Sequence, residues 1–427
     1  MSFARAAYTL LLLFAAPFIV LRLLWRARRQ PAYLRHIGER FGFYAARPQA
    51  PLIWLHAVSV GETRACAPLI TALRQRFPGH AILLTHMTPT GRETGAQLFD
   101  DQVTRCYLPY DYPFAVERFL AHFQPRLGLL LETELWPNLI AACRTHQIPI
   151  ALVNARLSEK SARGYQRVSR LTRETLGKLN CVCAQTESDA QRLTRLGAHD
   201  VQILGNLKFD IAPPDSAQAS AAAMRAHFGK RSVLLLASTR EGEESLLLDA
   251  FKRSVAPRPL LLIVPRHPQR FEEVASLIAA HGLNLQRRSA NESIRPETDV
   301  VLGDSMGEMF SYYGAADLAF IGGSLLPLGG QNLIEACAMG VPALAGPHTF
   351  NFAQATQQSI EAGAAQRVAD ADDLFTAAAR LLADDTARAQ MGAAGRRFWQ
   401  QNQGAAQRTV AALAPFLARD ASVTIRP

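Results

Sequence analysis

AFIGGSLLPLGGQNLIEACAMGVPALAGP, Ala319 to Pro347, is the stretch on which the reading of this chain turns. The apolar run Leu318-Ala319-Phe320-Ile321 stops at Gly322-Gly323, as a buried parallel strand does when it meets a tight turn. After a second pair, Gly329-Gly330, the run from Asn332 to Ala338 has helical composition. It closes at Gly340 and passes through Val341-Pro342 into another short strand. A helix starting there turns its unpaired N–H groups and positive dipole end into the loop, which suits a phosphate. Glu335, about one turn in, is placed to accept hydrogen bonds from ribose hydroxyls. The competing reading is a structural strand-to-helix turn with Glu335 solvated.

Outward from this stretch, strands and helices alternate. Leu52–His56, Ala81–Thr85, Arg105–Leu108, Leu127–Leu131 and Ile150–Val153 read as strands separated by helical segments. The pattern fails around 205–220, where Ala212-Pro213-Pro214-Asp215 looks like a linker, and restarts at Ser232. Such alternation predicts parallel, doubly wound sheets. The expected fold is α/β, two Rossmann-like domains with parallel sheets facing a central cleft, plus an N-terminal membrane-anchor helix. The expected divisions are 1–29 (anchor and basic flank), 30–215 and 216–427, with the terminal helix packing back across both domains.

A 427-residue chain with 49% hydrophobic and 19% charged residues is long enough for two ordinary globular domains. Its net charge of +10 calls for an acidic partner: nucleic acid, anionic membrane or a phosphorylated substrate. Nucleic acid is excluded because the basic residues are scattered and no binding module or basic and aromatic repeat is present. The six cysteines form no C-x-x-C pair, so neither zinc nor a disulfide framework is indicated, and a reducing compartment fits. Ala6 to Trp25 is apolar except for Arg22 and is followed by Arg26, Arg28 and Arg29. That is close to the roughly 20 residues a bilayer requires, and the arginines mark the cytoplasmic side. A cleavable leader would end in small residues rather than an arginine cluster. The expectation is an uncleaved anchor, spanning or lying in the interface, with Arg22 to Arg40, including Arg35 and Arg40, near anionic head groups.

The ends of the strands carry the residues capable of chemistry. Glu62 follows the first strand beside a helix start, where a carboxylate can act as general base or simply complement the helix dipole. Glu132 and Glu134, in L-E-T-E-L-W-P-N, follow another strand of the same half; helix capping is the alternative. Lys208, just before the linker, offers positive charge or is a solvated surface lysine. In the second half Arg266, after Val264-Pro265, can hold a phosphate through two parallel hydrogen bonds. Gly303 to Met309 offers backbone groups, with Met306 to pack on a base, and Ser238 to Glu243 forms a third strand-to-helix loop. Asp370-Ala371-Asp372-Asp373 matches the metal-binding D-x-D pattern formally but reads as a helix N-cap. One half presents carboxylates and the other phosphate-binding loops, a division that suits glycosyl transfer without a metal.

As a set, H-A-V-S-V-G-E (56–62), E-T-E-L-W-P-N (132–138), G-N-L-K (205–208), V-P-R-H-P (264–268), G-D-S-M-G-E-M (303–309) and G-G-Q-N-L-I-E-A (329–336) resemble the Kdo (3-deoxy-D-manno-octulosonic acid) transferases of lipopolysaccharide biosynthesis. The resemblance spans almost the whole chain. It implies a GT-B fold, CMP-Kdo as donor, a tetraacylated lipid A precursor as acceptor, no cofactor, and work at the cytoplasmic face of the inner membrane. By the same likeness Glu62 is the base, while Glu132 or Glu134 and Lys208 support the transition state. Pro265, Arg266, Met306, Gly307, Glu308 and the helix start Asn332, Leu333, Ile334 and Glu335 bind CMP. The alternatives are another GT-B glycosyltransferase, a nucleotide-sugar epimerase, or a non-catalytic membrane-tethered nucleotide-sugar binder.

Overall fold

The computed structural model describes residues 2–45, 47–255 and 257–418. The chain divides into two compact units, Met1–Ile211 with Gln403–Pro427, and Ala212–Asn402.

Unit 1 is built on seven parallel strands: β1 Leu52–His56, β2 Ala81–His86, β3 Thr104–Tyr107, β4 Leu127–Leu131, β5 Ile150–Ala155, β6 Cys181–Ala184 and β7 Val201–Ile203. Their order is β3-β2-β1-β4-β5-β6-β7. The strand order reverses between β1 and β4, and the loops leaving their carboxyl ends diverge there, which is where open α/β sheets bind ligands. The sheet is covered on both faces, so its strands read as continuous apolar runs instead of alternating ones. Trp54 is fully buried within β1, its indole N–H donating to Thr85 Oγ1 at 2.8 Å. Its ring occupies the space beside Gly128 on β4, where a Cβ would stand 2.9 Å from the ring. His56 and His86 are buried nearby, and burial pushes both down, to about 3 and about 4, so both imidazoles are neutral structural groups.

Unit 2 repeats the plan with β8 Val233–Thr239, β9 Leu260–Pro265, β10 Leu285–Arg287, β11 Val300–Leu302, β12 Leu318–Ile321, β13 Ala343–Ala345 and β14 Ala365–Arg367. The order is β10-β11-β9-β8-β12-β13-β14, parallel throughout, with the reversal between β8 and β12. The helix Asp385–Asn402 packs against the helix Ile334–Met339 at two small residues: Gly392 lies on the Gly340 carbonyl and Gly395 on Cys337.

The final helix, Ala405–Ala418, packs within unit 1 against the helix Ala67–Arg76. Asp210 fixes its start by accepting from Gly404 N at 2.6 Å and Ala406 N at 2.5 Å. By packing, then, the chain changes unit after Ile211, where the sequence pattern places the division at 215, and residues expected in 216–427 as one domain return to unit 1 from Gln403 onward. Strands β6 and β7 are not among the strands read from the sequence.

The helix Phe3–Arg29 carries Pro17 and is the one helix among the described residues that is long and apolar enough to cross a membrane. Arg40, expected near head groups, is instead buried. Its guanidinium lies over the Tyr107 ring at 4.1 Å and donates to the Met87 carbonyl, which removes it from any surface.

Candidate active site

In unit 1 the chain leaves β1 through Ala57-Val58 and caps the helix Val60–Ala65 with Ser59. Ser59 Oγ accepts from Glu62 N, and Glu62 answers by accepting from Val58 N at 2.8 Å and from the Ser59 hydroxyl at 3.0 Å. This reciprocal arrangement fixes the carboxyl group at the reversal point of the sheet. Glu62 is thus a capping glutamate at the helix start, with its side chain half-buried. Burial pushes that carboxyl up to about 7; the Val58 N–H and Ser59 hydroxyl pull it back, and the charges of Glu132 and Glu134 raise it further. A carboxylate with that affinity for protons is matched to proton abstraction near neutral pH.

β4 ends at Leu131, so Glu132 and Glu134 lie in the loop and not on one face of a strand. Glu132 has φ 54°, a left-handed conformation held by its N–H to Val153 O at 3.0 Å. Its carboxylate accepts from Arg156 Nε at 2.7 Å and faces Lys208 Nζ at 3.7 Å. Glu134 is raised above the ordinary carboxylate range by burial, and the Glu132 charge adds to it. Lys208 is no solvated lysine: its side chain is 15% exposed. Burial lowers its pKa, and the Glu132 charge opposes that. Its backbone is set by Asn206, whose Oδ1 accepts from Lys208 N at 3.0 Å, and by buried Asn154, whose Oδ1 accepts from Leu207 N at 3.0 Å. Glu62, Glu132, Glu134, Arg156 and Lys208 thus form one electrostatically coupled group beyond the carboxyl ends of β1, β4, β5 and β7. Arg156 and Asn154 are absent from the sequence reading. Their signal was position, since both sit where β5 ends, but nothing local distinguishes them from surface residues.

In unit 2 the loops after β8 and β12 are tied together by Glu243, which sequence reading did not single out. Fully buried, it accepts from Arg240 N at 3.0 Å, Gly323 N at 2.5 Å and Leu325 N at 3.0 Å. Gly322 is required because a Cβ there would lie 2.5 Å from the Ser238 carbonyl oxygen. The glycine-rich loop then closes on itself, Gly330 N donating to Gly323 O and Gln331 N to Gly322 O.

The helix starts at Ile334, two residues later than the composition suggests. Asn332 stays outside it and accepts from Ile334 N at 3.1 Å, while its amide donates to Glu335 at 3.1 Å. The side chains of Leu333 and Ile334 are buried in the core, so only their backbone is available to a ligand. Arg266 follows β9 half-buried, its N–H donating to Thr239 O at 3.0 Å, and Pro265 is buried in the strand itself. After β11, Met306 is 59% exposed and Gly307 has φ 81°; Glu308 pairs with Arg288 at 3.1 Å and accepts from Ser305. The loops after β8, β9, β11 and β12 share one end of one sheet, so unit 2 brings Pro265, Arg266, Met306, Gly307, Glu308 and Asn332 to Glu335 to a single rim.

Among the described residues no three His, Cys, Asp or Glu side chains are grouped to hold a metal ion. The D-x-D match is a helix cap: Asp370 accepts from Asp373 N at 2.9 Å, and Asp372 pairs with Arg253 at 2.7 Å.

Two Rossmann-like units, one with a coupled carboxylate and ammonium group and the other with glycine-rich loops, define a protein of the GT-B architecture. The same architecture is found in a glycosyltransferase from Rickettsia africae, with TM-score 0.57 at 14% identity over 87% of this chain and 99% of that one. It is found equally in a UDP-N-acetylglucosamine 2-epimerase described for Listeria monocytogenes, with TM-score 0.58 at 15% identity over 88% and 98%. At such identities the likeness concerns the fold. Residues 35–211 match the family model described as 3-deoxy-D-manno-octulosonic-acid transferase (kdotransferase). The chain is 46% identical to the 3-deoxy-D-manno-octulosonic acid transferase of Bordetella pertussis, over 97% of this chain and 99% of that protein. It is 38% identical to the enzyme of that name from Haemophilus influenzae, over 97% and 99%. The chain belongs to the 3-deoxy-D-manno-octulosonic acid transferase family.

Proposed function

We propose that this enzyme transfers Kdo from CMP-Kdo to a tetraacyldisaccharide bisphosphate, the lipid A precursor, with inversion and without a metal, at the cytoplasmic face of the inner membrane. The observation that carries the reading is Glu62: a carboxyl group fixed at the reversal point of its sheet and poised near 7. An acceptor hydroxyl gives its proton to the Glu62 carboxylate as its oxygen bonds to the anomeric carbon of Kdo, and the bond from that carbon to the CMP phosphate oxygen breaks. Direct displacement of this kind inverts the anomeric centre. Lys208, Glu132 and Arg156 set the potential around the base.

In this reading the rim of unit 2 holds CMP. Arg266 binds the phosphate, Asn332 to Glu335 present the helix start and a ribose acceptor, and Met306, Gly307 and Glu308 line the base. A leaving group with one phosphate develops less charge than a diphosphate, so an arginine and backbone dipoles suffice to stabilise it. The N-terminal apolar helix is compatible with membrane anchoring, as a lipid acceptor requires.

The test is incubation of the full chain with labelled CMP-Kdo and the lipid A precursor, with and without EDTA. The expected result is an acceptor heavier by one or more Kdo residues, of inverted configuration, at a rate unchanged by the chelator. Release of free Kdo without an adduct, or loss of activity restored only by a divalent cation, would overturn the reading.

A further inference from the structure

The helix Phe3–Arg29 has two faces of different character. Phe3, Ala7, Leu10, Phe14, Phe18, Leu21 and Trp25 recur at helical spacing and are all exposed. The opposite stripe, through Arg5, Thr9, Leu12, Ala16, Ile19, Leu23 and Ala27, is buried or half-buried, and the helix packs on the helices Pro137–Thr145 and Ser169–Leu176 and on the turn Pro31–Leu34 that follows it.

That docked stripe is held by polar ties along its first half. The Ser2 hydroxyl donates to Glu174, Tyr8 OH to Asp111 at 3.0 Å, and Thr9 Oγ1 to Asn138 at 3.1 Å; Tyr112 OH donates to the Leu12 carbonyl at 3.0 Å. The receiving groups are themselves fixed, since Asp111 also accepts from Asn138 N at 2.9 Å and Leu139 N at 2.8 Å. A helix that crossed the bilayer would have to carry residues 2–12 away from all of these partners. It would also expose Arg5, Tyr8 and Thr9 to hydrocarbon.

Length argues the same way. The uncharged run between Arg5 and Arg22 is residues 6–21, about 24 Å of helix against a core of about 30 Å. Charge is present at both ends.

We propose that this helix lies in the plane of the membrane surface, docked along unit 1, and does not cross the bilayer. The occupant of its free face is an anionic lipid surface. The exposed stripe enters the acyl boundary, while Arg22, Arg28, Arg29 and Arg35, all exposed, meet the head groups. Phe114, exposed and stacked on the Tyr112 that binds Leu12, extends the apolar face beside the helix. The inference rests on the membrane association proposed above and decides its form.

The test uses the full chain in inner-membrane vesicles. The six native cysteines are buried and do not compete for thiol reagents. Ser2→Cys with Glu174→Cys, treated with a short bis-maleimide, is expected to cross-link within the chain in most membrane-bound molecules. No cross-link, together with labelling of the Ser2→Cys thiol by an impermeant maleimide from the periplasmic side only, overturns the proposal.

A second measurement leaves the docked face untouched. Single variants Phe3→Cys, Phe14→Cys and Leu21→Cys carry nitroxides, with the protein bound to vesicles of phosphatidylethanolamine and phosphatidylglycerol. In-plane docking gives all three the same shallow depth; a crossing helix gives a maximum at residue 14 and overturns it. Protein that stays in the supernatant of such vesicles overturns the membrane association itself, an outcome distinct from either depth profile.

Discussion

Glu62→Gln separates two jobs that one side chain performs. The amide can still accept from Val58 N and pair with the Ser59 hydroxyl, so the start of the helix Val60–Ala65 keeps its reciprocal cap. What is lost is the ability to take a proton. A lost general base costs about 100- to 10,000-fold in rate, or about 3–5 kcal/mol in the barrier. Stability moves the other way. The folded carboxyl titrates at about 7, above the ordinary glutamate value of 4.5. Between those values the native state binds more protons than the unfolded chain, so the group's contribution is most favourable below 4.5 and is lost as pH rises through about 7. At pH 8 the ionised carboxylate therefore destabilises the fold, and its replacement should stabilise the protein by about 1–3 kcal/mol.

The assay has three parts: initial rates of transfer across pH 5.5–9, calorimetric binding of CMP, and denaturant unfolding at pH 6 and pH 8. The wild-type kcat/KM should rise with unit slope to about pH 7 and then level; the variant should be slow and flat. CMP affinity should be unchanged, and the variant should gain stability at pH 8 relative to pH 6. A variant within fivefold of wild type, or one whose CMP binding falls together with its rate, would refute the reasoning.

Other outcomes follow from the same geometry. Lys208→Met should reduce transfer about 100-fold while changing stability by less than about 1 kcal/mol, because Glu132 retains Arg156 as partner and a buried ammonium is removed; rates and unfolding midpoints check both. Glu243→Gln cannot accept all three backbone N–H groups, so it should cost about 2–4 kcal/mol and weaken CMP binding more than tenfold, read by denaturation and calorimetry. Gly322→Ala forces a Cβ against the Ser238 carbonyl, with an expected loss of about 1–3 kcal/mol and a raised Kd for CMP, although residue 322 contributes no side chain to the rim.

The sequence by itself determined the repeated strand-to-helix pattern, the carboxyl-end positions of Glu62 and Arg266, and the capping role of Asp370. Each depends on signals a few residues long: an apolar run that must be buried on both faces, a glycine where the backbone turns, an acidic residue beside a helix start. Only the tertiary structure decided the rest. Glu132 and Lys208 are distant in sequence, and their pairing exists because β4 and β7 end on one side of one sheet. The same holds for Arg156, Asn154 and Glu243, whose importance lies in what they hold. Arg40 shows the converse, for in sequence it extends a basic flank, and in the fold it is sealed over Tyr107. Proton affinity belongs to this second class, since desolvation is a property of the assembled surroundings and not of any local pattern: Glu62 is an ordinary acid in the sequence and is poised near 7 only once the ends of β1 and β4 have closed around it.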